Sequence, residues 1–368
     1  MTFFCIGYLS PLLLSFAPNL GFIDMVKQGA SPRLTATSAV DTLTRGLSTQ
    51  RPLVKSPFFI CCSGRSGSTH LRLMLDHHPQ LSCVDEVGYI TELVSDDGDM
   101  PDVATYRQWL ESDFIFQSCC DFTIDPDLDF YELVNDFLCQ QKDCSNKQAV
   151  GAISHFDFIR LLKLWPDARF IHMVRDGRDV AYSWMKEMHL FENPWFAAEK
   201  WREAEQAWER LAQRLPEGQY LEITYEDMVN DTVGTLTEVC QFLGVDYDAE
   251  MLKFSKAGSY FTLPDPKFSG LWRSHLSPWE IQVAEANISD LLIDRGYRLS
   301  ELPRLTVSSL DLKRFKLVEK VFMWRQRIGF FGLRLSAAEY FSRRLGLQGW
   351  HRRVKQNMHA ISIPALKR

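Results

Sequence analysis

The chain has 368 residues, 46% of them hydrophobic and 24% charged, which excludes a disordered or collagen-like polymer and allows one large α/β domain with appendages. The net charge of −6 conceals an asymmetry: from Glu301 onward 15 Lys/Arg face four Asp/Glu, a local charge of +11, leaving −17 on residues 1–300. An acidic body of that sign argues against a nucleic-acid partner. The basic tail has three uses open to it: packing on the acidic body, homodimer formation, or contact with an anionic membrane surface.

Residues 2–23 carry no charge and are long enough for an anchor or signal segment, but Pro11 and Pro18 interrupt them and no Lys or Arg precedes them. Met25 opens a plausible shorter chain. The expectation is a soluble, cytoplasmic protein, with membrane association through this segment as the alternative. Nine cysteines is an odd number; Cys61, Cys62 and Cys240 sit in apolar runs, and Cys119, Cys120, Cys139 and Cys144 lack paired metal-ligand spacing. Reduced, buried thiols and no metal are expected. The division follows composition: 1–55 apolar segment and linker, 56–300 main domain, 301–368 basic helical extension.

The run PFFICCSGRSGSTHLRLMLDHHPQLSCVDE at 57–86 organises the main domain. An apolar strand enters a turn of small residues, and helical spacing of Leu71, Met74 and Leu75 follows. Small residues admit close backbone approach, and the amides at a helix start are anion donors; Arg65, Ser66, Ser68 and Thr69 add more around Gly67. This construction suits a phosphate or sulfate. An ATP-binding P-loop would need a lysine where Ser68 stands and a glycine where Cys62 stands. A second strand at 169–174 ends in Arg175-Asp176-Gly177-Arg178-Asp179, and Ser183 lies two helical turns on; Arg175 and Ser183 can converge on one anion. Two such sites imply a ligand with two separated phosphates.

The loop Gly64–Thr69 followed by Leu75-Asp76-x-His78-Pro79, then Arg175 with Ser183, then Tyr225-Glu226-Asp227 and Phe242-Leu243-Gly244-Val245, resembles the sulfotransferases that use 3'-phosphoadenosine 5'-phosphosulfate (PAPS). The paired acids Asp85-Glu86 point to the tyrosylprotein sulfotransferase-like branch. The resemblance implies a P-loop-like, three-layer α/β fold with a mostly parallel sheet, and sulfuryl transfer to a hydroxyl acceptor without a metal. It implies further that Arg65, Ser66, Gly67, Ser68 and Thr69 hold the 5' side of PAPS, Arg175 and Ser183 its 3'-phosphate, and Tyr225 its adenosine. Arg273, in a Pro/Gly-rich loop at 264–276, becomes a phosphate contact, and Glu86 the base. A lysine of the family that contacts the transferring group has no counterpart at 150–155; His155 is the substitute candidate for a proton or cation. Two alternatives stand beside this reading: an ATP-dependent P-loop kinase, and an inactive sulfotransferase-fold binding protein.

Overall fold

The computed structural model describes residues 53–256 and 262–367; the expectations for residues 1–52 lie outside them. Strand β1 (Phe58–Cys61) is the middle of a five-stranded sheet. Its alternate side chains enter different cores: Phe59 and Cys61 pack with Trp165 and Phe170 on one face, and Phe58, Ile60 and Cys62 with Leu71, Met173 and Ile223 on the other. A strand buried on both faces must be apolar throughout, which is why FFIC shows no alternation. Each large apolar side chain so buried contributes roughly 1.5–3 kcal/mol.

Helix α1 (Ser68–Asp76) leads to β2 (Leu81–Glu86), and short helical turns lead to α2 (Phe130–Ser145), which starts with an Asp129/Glu132 capping box. Then come β3 (Ala149–Ser154), α3 (Phe158–Leu164), β4 (Arg169–Val174) and α4 (Gly177–Tyr182). A π-helical turn, Ser183–Glu187, continues α4; α5 (Pro194–Ala212) and β5 (Tyr220–Thr224) follow. The order is β2-β3-β1-β4-β5, and every pairing is parallel. The carboxyl ends of β1, β2, β4 and β5 therefore open on one rim, where ligands of open parallel sheets bind.

Helices α6 (Tyr225–Asn230), α7 (Thr232–Leu243) and α8 (Pro278–Asp294) complete the body. Residues 106–116 do not form one helix, because Asp113 accepts from the Phe116 amide and caps a new one. The extension is two helices, α9 (Ser309–Arg344), kinked at Gly332, and α10 (Gln348–Lys367). It is docked on the body at several places: Glu319 accepts from the amides of Glu192 and Asn193, and His359 lies against Phe114 with ring centroids 5.2 Å apart. Among the described residues no helix is long and apolar enough to cross a membrane, and no cluster of His, Cys, Asp or Glu could hold a metal.

Candidate active site

The turn from β1 into α1 is built around two left-handed residues, Arg65 (φ 74°) and Gly67 (φ 94°). Glycine is required at 67 for a second reason. A Cβ there would come within 2.4 Å of the Tyr225 ring, so the ring and the loop backbone are in close contact. Gly67 is also the N-cap of α1 and brings no side-chain acceptor, leaving the first amides of the helix to an external anion. Ser66 and Ser68 are buried against this turn.

Residues separated by more than a hundred positions converge on the loop. The Arg65 guanidinium donates from Nε to Ser183 Oγ (2.8 Å) and from Nη2 to Glu187 Oε2 (3.1 Å). Ser183 also hydrogen-bonds the Glu187 carboxylate, and the π turn sets these two residues on one side. Arg175 donates to the carbonyl of Arg65 (3.0 Å), while its guanidinium covers the Tyr225 ring at 4.2 Å. Arg65, Gly67, Arg175, Ser183 and Tyr225 thus form one cluster.

Arg65 was expected on the 5' side of the ligand; its guanidinium meets Ser183, the residue expected at the 3'-phosphate, and pairs with Glu187. Burial works against ionising Glu187, and the charge of Arg65 with the Ser183 hydrogen bond outweighs it, holding the carboxyl below its usual range. A charged carboxylate therefore occupies donors suited to a phosphate. Nothing in the sequence flags Glu187, because its meaning depends on Arg65, 122 positions away.

Glu86 is the last residue of β2 and is buried. The strand's register shifts between Val84 and Glu86, a bulge of the kind that re-aims side chains beside sites. Its neighbour Asp85 goes to Arg72 of α1 (3.8 Å), so the paired acids have separate surroundings. Burial pushes the Cys62 thiol up to about 12, Ser68 pulls the other way, and the charges of Glu205 and Glu86 add to the rise.

His155 is buried behind the same turn, its Nδ1 3.0 Å from the carbonyl of Cys62. Burial lowers its pKa to about 4, the Cys62 carbonyl resists this, and Arg65 lowers it further. The imidazole is neutral at physiological pH, so His155 does not stand in as the cation that the sequence reading offered; with Nδ1 donating, it ties strand β3 to the loop entrance. Arg273 is likewise outside the cluster. It is exposed, stacked 4.4 Å over Trp272 and close to Gly270.

The loop at 262–276 is fixed by residues the sequence reading overlooked. Asp179 accepts the amides of Gly270 (2.6 Å) and Trp272 (2.9 Å), and Asp176 accepts Trp272 Nε1 (3.1 Å). Arg178 is buried beneath, 3.8 Å over the Trp272 ring and paired with Asp176 and Glu285 at 2.7 Å each. Trp272 therefore anchors the loop. Arg175 reaches the same loop at the Phe268 carbonyl (2.5 Å). The dense charge of Arg175-Asp176-Gly177-Arg178-Asp179 was the available signal.

A model of the sulfotransferase family matches residues 57–249. Protein-tyrosine sulfotransferase A of Caenorhabditis elegans is 23% identical over 211 residues, 54% of this chain and 52% of that protein. The chain thus spans about half the length of the curated relative it matches. The sulfotransferase domain from the Synechococcus PCC 7002 olefin synthase is similar at 24% identity and a TM-score of 0.47, covering 68% of this chain and 99% of that one. Mouse sulfotransferase SULT7A1, solved in complex with PAP, has 14% identity and a TM-score of 0.38 over 73% of this chain and 90% of its own. The family match takes in more than half of the chain, including the loop, Arg175, Ser183 and Glu86, and the chain belongs to the sulfotransferase family.

Proposed function

We propose that this protein moves a sulfuryl group from PAPS to a hydroxyl-bearing acceptor by in-line transfer. The observation that carries the reading is the convergence of the β1–α1 loop with Arg175, Ser183 and Tyr225 on one rim of the sheet. Two guanidinium groups, a hydroxyl and free-ended helix amides suit a ligand with two anionic groups, and Gly67 leaves room for backbone approach. A nucleotide bearing a 3'-phosphate and a 5'-phosphosulfate has those features, and when bound it supplies the group to be transferred.

In this reading Ser66, Gly67, Ser68 and Thr69 hold the 5' end through backbone and hydroxyl donors, and Arg175 and Ser183 hold the 3'-phosphate. Arg65, released from Glu187, stabilises charge on the leaving phosphate. Glu86 accepts the proton of the acceptor hydroxyl at a carboxylate oxygen, a role worth roughly 10²–10⁴-fold. His155 positions the loop through the Cys62 carbonyl rather than touching the reacting atoms.

The test is transfer of 35S from labelled donor to a panel of tyrosyl peptides, sugars and lipid alcohols. Glu86→Gln should lower transfer to a working acceptor by roughly 10²–10⁴-fold with donor binding kept; unchanged transfer removes Glu86 as the base. Magnesium-dependent ATP turnover would instead favour the kinase reading, and tight nucleotide binding without transfer to any acceptor would favour a binding protein.

A further inference from the structure

Helix α9 has one face committed to the body and an opposite face that no described residue covers. The inward face carries Glu319 on the amides of Glu192 and Asn193, Gln326 near the His189 carbonyl, and Phe315 against Trp279 with ring centroids 6.0 Å apart. By helical spacing, Leu310, Leu317 and Val321 line the other side, and they are 56%, 64% and 51% exposed. Such large apolar side chains are not held in water by any packing need of this molecule.

The stripe has basic borders. Lys313 and Lys320 flank it on one side and Arg314 and Arg325 on the other, all four exposed. Past the kink at Gly332 (φ 75°, ψ 161°) the pattern recurs, with Phe341 and Leu345 52% and 63% exposed beside Arg343 and Arg344. Residues 301–368 carry +11 against −17 for the rest of the chain, so the basic charge is concentrated on this extension.

We propose that the outward face of α9 lies on an anionic phospholipid surface. Leu310, Leu317 and Val321 enter the acyl boundary while the flanking lysines and arginines meet lipid phosphates. The pattern separates this occupant from a second copy of the chain: pairing α9 with itself would set its basic borders against each other. The helix fits a membrane interface and not a span, since no described helix is long and apolar enough to cross one. The inference is independent of the transfer reaction.

The experiment is co-sedimentation of the full chain with vesicles of phosphatidylcholine alone or with phosphatidylserine added. Binding should require phosphatidylserine and weaken with salt. Lys313→Gln with Lys320→Gln should lower partitioning about fivefold per charge removed, and Leu317→Glu with Val321→Glu should abolish it. Circular dichroism and unfolding midpoints should match wild type in both variants, which alter exposed positions only. Equal binding to both vesicle types that survives the variants assigns the contact to another segment and overturns the proposal. So does an absence of binding by wild type, or a concentration-dependent dimer in sedimentation velocity that Leu317→Glu with Val321→Glu dissolves.

Discussion

A ligand anion that approaches Arg65 and Ser183 must first displace the Glu187 carboxylate from both. Glu187→Gln removes that competing charge, and calorimetry with 3'-phosphoadenosine 5'-phosphate should show binding tighter by about 1 kcal/mol, roughly fivefold; weaker binding would show that Glu187 supports the site. Arg175→Ala should weaken the same binding by roughly 1.5–3 kcal/mol, the range for a hydrogen bond to a charged group. At Gly67 the expected change is more severe. Gly67→Ala meets both a left-handed backbone and the Tyr225 ring, so nucleotide binding should be lost even where the unfolding midpoint shows the chain still folded. His172 is a residue-scale switch of another kind, buried between Glu222 (2.9 Å) and Glu205 (3.4 Å). Burial opposes its protonation, and the two carboxylates overcome this and raise its pKa; in return the His172 hydrogen bond lowers that of Glu222. The His172 contribution is complete below the unfolded histidine pKa and fades as pH rises through the raised folded value. The Glu222 contribution is present above the ordinary carboxylate range and is lost as pH falls through its lowered one. Glu92 and Glu319, each pushed up to about 7 chiefly by burial, subtract stability as pH rises from the ordinary carboxylate range to that value. Urea unfolding across pH 4–9 should therefore peak on the acid side of neutrality, and His172→Phe should flatten the alkaline fall; a profile still rising at pH 8 contradicts this assignment.

Among the elements, the loop at 264–276 is held by several side chains, of which Asp179 takes the most backbone amides. Asp179 takes two of its amides, so Asp179→Asn leaves one of them facing a weaker or misdirected partner. Increased proteolytic cleavage in that loop and weaker nucleotide binding are expected together; cleavage unchanged from wild type would mean that Trp272 packing alone holds it. This element also shows where sequence reading stops. Strand β1 and the small-residue turn were legible because their chemistry is local: an unbroken apolar run and a set of donors within a dozen positions. Arg175 and Ser183 were legible for the same reason. Glu187 and Asp179 were not, because each is defined by a partner on a distant element, and a carboxylate among basic residues reads the same whether it caps, clamps or competes. His155 shows the converse: its residue type suggested proton chemistry, while burial, which spacing does not reveal, made it a neutral tie.

For the whole molecule, the boundary drawn at residue 300 coincides with a change in charge, and contacts cross it. Glu319 supplies the acceptor for the amides at the start of α5, and α10 covers Phe114 and part of the first core. A chain ending at Ser300 should unfold at a lower midpoint and bind a hydrophobic dye that the full chain excludes; matching midpoints would make the extension an appendage. The place where α10 docks has a consequence for synthesis. Residues near Phe114 leave the ribosome long before those near His359, so this part of the body waits with its apolar surface open until almost the last helix is made. Local helices can form meanwhile, but closure requires the long-range contact between Phe114 and His359 and is slow to search for. Nascent chains stalled before α10 should consequently be recognised as incomplete, and premature termination anywhere in the extension should cost the yield of folded protein, although every residue of the β1–α1 loop has already been made.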